Sequence, residues 1–144
     1  MKRILLIFLC LAGLQTAVAA GGDRAIHINQ LPQPARELIK AHFANAKVSY
    51  AKIDKEIFDT SYEVVFTNGT KIEFDRKGNW TDVKSKRGIP KGVIPVRIRE
   101  YLEKHHSGYL VTELELDRKG YEVKLHSGIE MKFDRQFRMR GYDD

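Results

Sequence analysis

Tyr62-Glu63-Val64-Val65-Phe66-Thr67-Asn68-Gly69-Thr70-Lys71-Ile72-Glu73-Phe74-Asp75-Arg76 returns later in the chain as Tyr121-Glu122-Val123-Lys124-Leu125-His126-Ser127-Gly128-Ile129-Glu130-Met131-Lys132-Phe133-Asp134-Arg135. Seven of the fifteen positions are identical, and most of the others keep their polarity class. An internal repeat of this kind sets the architecture before any single element does. Working outward, Leu31-Pro32 and Ile94-Pro95 open matching segments, Arg36-Glu37 corresponds to Arg99-Glu100, and Ile39 to Leu102. The chain therefore reads as two copies of one unit of roughly fifty to sixty residues, preceded by something different.

Within each copy the hydrophobic period changes once. Ala35, Leu38, Ile39, His42 and Phe43 recur at helical spacing, as do Ile98, Tyr101, Leu102 and His105. Pro34 suits a first helical turn, where its missing N–H costs nothing. The period then drops to two: Tyr62, Val64 and Phe66 alternate with polar neighbours, and Asn68-Gly69 supplies a hairpin turn. Ile72 and Phe74 continue on the next strand, and Asp75-Arg76-Lys77-Gly78 turns the chain again. The second copy repeats the plan, with turns at Asp117 to Gly120 and at Ser127-Gly128. A one-faced helix and a one-faced sheet bury their apolar sides against each other. The expected fold is α+β: two tandem repeats, residues 31–83 and 93–144, each a helix packed on an antiparallel meander, with a basic, solvated linker at 84–92.

The first thirty residues do not follow this plan. Lys2 and Arg3 precede an apolar run from Ile4 to Leu14, and Ala17-Val18-Ala19 offers a small-x-small cleavage site. This is the layout of a secretory signal peptide over residues 1–19, leaving an N-terminal extension at 20–30. Acylation at Cys10 is the weaker alternative, because Phe8 and Leu9 are large where small residues are expected. Loss of Lys2 and Arg3 takes the net charge from +6 to +4 and removes Cys10, the only cysteine. The exported chain then has no disulfide and no thiolate. No second apolar run of spanning length follows, so no transmembrane segment is expected after cleavage.

The order Leu-Pro, helix, Tyr-Glu-Val, Asn-Gly, Ile-Glu-Phe-Asp and Gly-Asn-Trp, followed by Ile-Pro, helix, Gly-Tyr-Glu-Val, Gly and Phe-Asp, resembles the PepSY-like, beta-lactamase-inhibitor-like family of exported bacterial proteins. The likeness spans residues 31–142. It implies a tandem helix-plus-sheet fold, a periplasmic or cell-surface location, no known catalytic residues, and a sheet face that binds another protein such as a peptidase or hydrolase. One departure stands out: Asp134-Arg135-Gln136-Phe137 lacks the glycine found at Gly78, which leaves the register of the last strand open.

Several site chemistries fit the residues less well than turns and packing do. Asp75, Asp117 and Asp134 share a turn context, where an Asp side chain accepts a backbone N–H, so a carboxylate pair for acid–base work is not expected. His105 and His106 are adjacent on a helix, about 100° apart, and do not converge with His42 and His126 on one ion. There is no Gly-x-Ser-x-Gly elbow and no glycine-rich phosphate loop. Strands that mix Glu and Lys argue against a nucleic-acid partner. No enzyme, cofactor, metal or nucleic acid is therefore expected.

What remains is the solvent face of the sheet. Alternation places Tyr50, Lys52, Glu63, Val65, Thr67, Lys71 and Glu73 there from the first copy. The second copy adds Glu113, Glu115, Glu122, Lys124, His126, Glu130 and Lys132. The candidate protein-binding residues are Tyr50, Trp80, Val65, Lys124 and His126. Trp80 either faces outward beside Tyr50 or packs under the helix, because the turn before it leaves its face ambiguous. The function expected is an exported, periplasmic or secreted binding module that inhibits or regulates an envelope peptidase or hydrolase. The alternative is a periplasmic small-ligand or metal-binding sensor.

Overall fold

The computed structural model describes residues 22–143. Nine strands follow one another as a single antiparallel sheet: β1 (Asp23–Ile26), β2 (Val48–Lys55), β3 (Thr60–Phe66), β4 (Lys71–Phe74), β5 (Trp80–Lys84), β6 (Val111–Leu116), β7 (Gly120–Leu125), β8 (Glu130–Asp134) and β9 (Met139–Asp143). Helix α1 (Gln33–His42) lies between β1 and β2 in the chain, and α2 (Val96–His105) between β5 and β6. The class is α+β, as the periodicities predict.

Each helix starts where proline allows and turns its apolar stripe inward. Pro34 occupies the first turn of α1, which buries Ala35 and Ile39, and α2 buries Ile98 and Leu102. Basic residues in the last turns, Lys40 and His42 in α1 and Lys104 and His105 in α2, complement the helix dipoles. Both helices share one core with a row that crosses the sheet in register: Ala51, Val64, Ile72, Val83, Leu114, Val123 and Met131. None of the seven keeps more than 4% of its surface exposed. A one-residue slip of any strand would send its member of the row to water, so the apolar row fixes the pairing.

The two halves meet without a break. β5 pairs with β6 through Asp82–Glu115, Val83–Leu114 and Lys84–Glu113. In the segment read as a linker, Lys84, Lys86, Arg87 and Lys91 are exposed, but Ser85 and Ile89 are buried, and the Thr70 hydroxyl donates to Ser85 Oγ at 3.1 Å.

Two local features differ from a plain reading of the sequence. The segment before residue 31 contributes an edge strand, β1, held by pairing with β2. At the last turn, Phe137 takes the place of Gly78 and adopts φ 64°, the only non-glycine residue with positive φ among those described. Asp134 Oδ1 accepts the N–H groups of Gln136 and Arg138, as Asp75 Oδ1 accepts those of Lys77 and Asn79. Phe137 stacks on Tyr121 at 5.1 Å, which offsets the backbone cost of a left-handed non-glycine residue. The register question is thereby answered: Phe133 pairs with Met139 as Phe74 pairs with Trp80. The signal-peptide reading of residues 1–19, with Cys10, lies outside the described residues.

Candidate functional site

One residue along from the buried row, the pleat turns side chains to the face that neither helix covers. There the register aligns Lys52, Glu63, Glu73, Asp82, Glu115, Glu122 and Lys132 straight across β2 to β8. Five carboxylates thus stand side by side between two lysines. The next row runs Tyr50, Val65, Lys71, Lys84, Glu113, Lys124, Glu130 and Asp143, with mixed charges.

Like charges directly opposite on neighbouring strands repel. At the flanks lysines relieve this: Lys71 Nζ lies 2.9 Å from Glu63 and 3.2 Å from Glu73, and Lys132 lies 3.8 Å from Glu122. Burial alone would push the Glu63 carboxyl up, but hydrogen bonds from Lys71 and from Tyr50 at 3.0 Å outweigh it and hold the group below its usual range. The centre is less well served. The nearest cation to Asp82 is Lys84 at 3.9 Å. Burial, then the charges of Glu73 and Glu115, outweigh Lys84 and lift the Asp82 carboxyl from 3.8 to about 6. Glu115 is raised by burial and then by Glu122 and Asp117. The face therefore carries a strip of unneutralised negative charge at its middle, although the chain as a whole is basic. Its carboxylates are spread along a line, one per strand, at about 4.8 Å intervals. Among the described residues no group of three or more His, Cys, Asp or Glu is arranged to hold a metal ion.

The predicted site residues divide between two faces. Tyr50 and Val65 are cross-strand neighbours on the open face, and Tyr50 is 46% exposed. Lys124 and His126 line one cleft of about 410 Å³, with Lys84, Lys86 and Glu113. Trp80 is elsewhere. The bulge between Glu73 and Phe74 places Trp80 opposite buried Phe74, and its ring lies 6.2 Å from that of Tyr121 on the helix-covered side. Of the two placements left open by the sequence, Trp80 takes the one under the helices, so it does not join Tyr50. Asp82, absent from the sequence-based set, belongs to the face. Its signal was the alternation of Asp82, Val83 and Lys84, hidden by the uncertain frame of the turn before Trp80.

The other candidates are structural. Asp117 Oδ1 accepts from Lys119 and Gly120, so all three repeated aspartates close turns. His42 packs against Gly92, whereas His106, whose Nε2 is 3.1 Å from the Tyr142 hydroxyl, lines a cleft of about 320 Å³ together with His126. No helix of the described residues is long and apolar enough to cross a membrane.

A single antiparallel sheet with one helix-covered and one open, charged face defines the class: an α+β module. The chain belongs to the family described as "Putative beta-lactamase-inhibitor-like, PepSY-like", whose model matches residues 21–59 and 60–140. Among solved structures, it is similar to a "putative periplasmic protein from DUF2874 family" of Bacteroides vulgatus, at 45% identity and a TM-score of 0.81, covering 85% of this chain and 97% of that one. A "putative calcium-regulated periplasmic protein" of Bacteroides thetaiotaomicron shares 42% identity, with a TM-score of 0.80 and coverage of 85% and 97%. A second Bacteroides vulgatus protein, a "putative periplasmic protein of unknown function", shares 36% identity, with a TM-score of 0.77 and coverage of 85% and 100%. No curated protein matches the chain significantly. The protein is accordingly periplasmic or secreted.

Proposed function

We propose that this protein is a non-enzymatic binding module of the bacterial envelope. It is built of two tandem PepSY-like units, residues 31–83 and 93–144, joined through 84–92. Its open sheet face docks on another exported protein and inhibits or regulates a peptidase or hydrolase. The observation that carries this reading is the row Glu63, Glu73, Asp82, Glu115 and Glu122, in which, among the described residues, Asp82 has only Lys84 at 3.9 Å as an ion-pair partner and Glu115 has none. A basic segment of a partner laid across the strands supplies the missing charge, with Tyr50 and Val65 as the neighbouring apolar contact. Such complementarity sets on-rate and partner choice more than it sets affinity.

The test is cross-linking of the mature chain in envelope extract, with Glu115→Lys/Glu122→Lys and Tyr50→Ala variants alongside. Captured proteins lost from the charge-reversed variant, and an inhibited hydrolase among them, support the reading. Recovery of the same proteins by all three chains removes this face from consideration. A second reading, a small-ligand or metal-binding sensor, draws on the same carboxylates and on the Bacteroides thetaiotaomicron relative described as calcium-regulated. It predicts that calcium raises the melting temperature of the wild type more than that of Asp82→Asn/Glu115→Gln. Equal melting curves with and without millimolar calcium would sink it.

A further inference from the structure

We infer that the β2–β3 hairpin is a membrane anchor, with Ile57 and Phe58 entering the interface of an anionic phospholipid bilayer while basic turns at the same end of the sheet rest on the headgroups. Ile57 is 91% exposed and Phe58 96% exposed, the most exposed large apolar residues described. They form the middle of a turn, Glu56-Ile57-Phe58-Asp59, closed by a hydrogen bond from Glu56 N–H to the Asp59 carbonyl at 2.8 Å.

The second half of the chain provides an internal control. Its counterpart turn, Asp117-Arg118-Lys119-Gly120, is closed by the same bond at 3.0 Å, but its two central residues are Arg and Lys. The fold thus accepts polar residues at these positions, and core packing gives no reason for an apolar pair. The hairpins also differ in length. Seventeen residues separate the paired Val48 and Phe66, and thirteen separate Val111 and Leu125, each Val beginning at a bulge. Two extra residues on each strand carry the Ile57-Phe58 tip about 7 Å beyond its counterpart.

In a meander, alternate turns lie at one end. The β2–β3 tip therefore shares its end with the β4–β5, β6–β7 and β8–β9 turns. These bring Arg76-Lys77, Arg118-Lys119 and Arg135 to that end, all exposed. Among the described residues none of these five forms an ion pair. The turn carboxylates Asp75, Asp117 and Asp134 are drawn inward onto backbone N–H groups, leaving the cations outermost. Arg135 Nη1 donates to the Asp117 carbonyl at 2.9 Å, tying two of the turns together. Glu56 and Asp59 at the tip itself oppose an anionic surface, and Asp59 is partly engaged with Thr60 N–H at 2.8 Å. The cations of the three shorter turns outnumber them. A tip that leads by about 7 Å sinks to the depth at which interfacial anchors settle, about 5–10 Å, as the basic turns reach the headgroups.

The experiment uses the mature chain with vesicles of phosphatidylethanolamine containing about 30% phosphatidylglycerol, and with pure phosphatidylcholine as the uncharged surface. A Phe58→Trp variant should shift its emission to the blue only with the anionic vesicles. Ile57→Ser/Phe58→Ser should lower the co-sedimented fraction about tenfold or more, and Lys77→Glu/Lys119→Glu by a similar factor. All the variants should keep the wild-type circular dichroism. Absence of the blue shift, or equal sedimentation of the Ser/Ser variant, overturns the proposal. A blue shift produced by an added envelope protein and not by lipid would also overturn it and assign the tip to a protein pocket. Because the sheet-face variants leave the tip intact, Glu115→Lys/Glu122→Lys should bind these vesicles no less than wild type, which separates this proposal from the one above.

Discussion

Asp82→Asn should stabilise the protein near neutral pH and leave it unchanged in acid. In the folded chain the Asp82 carboxyl titrates at about 6, raised from 3.8 first by burial and then by Glu73 and Glu115. The folded state therefore holds this proton more tightly than the unfolded chain does. Stability contributed by the site is full below about pH 4, falls as pH rises, and is gone above about pH 6. Taken whole, a displacement of that size corresponds to about 3 kcal/mol. The side chain keeps 21% of its surface in water, on the open side of the sheet, so screening reduces this to about 1–2 kcal/mol. Asparagine keeps the shape and removes the charge. For a domain of this size the gain should appear as a rise in melting temperature of roughly 3–8 °C at pH 7.5. Other carboxylates titrate in the same range, so the informative quantity is the difference between variant and wild type across pH, from urea or thermal unfolding. An equal difference at pH 4 and pH 7.5, or none at either, would refute the electrostatic account of the row.

Other expectations concern the frame that carries the face. Gly120 has φ 148°, and a Cβ there would run into the Phe133 carbonyl, so Gly120→Ala should cost about 3 kcal/mol or more in urea unfolding. Gly69, with φ 86° and open space around it, should lose only about 1 kcal/mol on the same change. Phe137→Gly relieves a left-handed residue and Phe137→Ala does not, although both remove the stack on Tyr121; the Gly variant should melt higher than the Ala variant. Ile98→Ala should cost about 2–4 kcal/mol, since Ile98 is fully buried, whereas Val96→Ala at 56% exposure should lie within about 0.5 kcal/mol of wild type.

The hairpins and helices were legible because their signals are local. Tyr62, Val64 and Phe66 announce β3 by alternation alone, Asn68-Gly69 marks its turn, and Ala35 and Ile39 mark the helix that covers it. β1 was not, because Asp23-Arg24-Ala25-Ile26 has one apolar residue to bury and owes its conformation to the edge of β2. The face of Trp80 depended on a bulge, which changes side by inserting one residue and leaves no mark in composition. The carboxylate row was illegible for a further reason. Glu63 and Glu122 could be assigned to the open face from the sequence, but the row between them exists only when four strand pairings hold at once, including the β5–β6 pairing that joins the halves. Turn chemistry transferred well between the two similar stretches of sequence, so that Asp134 could be read from Asp75 even where Phe137 replaces the glycine.

The two proposed surfaces can work together only if they do not compete for charge. Turns project along the strands, whereas the carboxylate row projects from the face, so a molecule resting on its β2–β3 tip turns the row sideways, parallel to the bilayer. The row crosses β2 at Lys52, five residues from Ile57, a rise of about 16 Å. With the tip sunk by about 7 Å, the depth at which the basic turns meet the headgroups, the row stands about 9 Å above them, just beyond the Debye length of about 8 Å at physiological ionic strength. Anionic lipid then neither repels the row appreciably nor draws away a basic partner already bound to it. At an ionic strength of about 0.01 M the screening length grows to about 30 Å, and the two surfaces should interfere. Vesicle-bound protein should then bind a lysine-rich peptide more weakly than free protein does, while at physiological salt the two affinities should agree. A difference that persists at physiological salt would mean that the row lies closer to the membrane than this geometry allows.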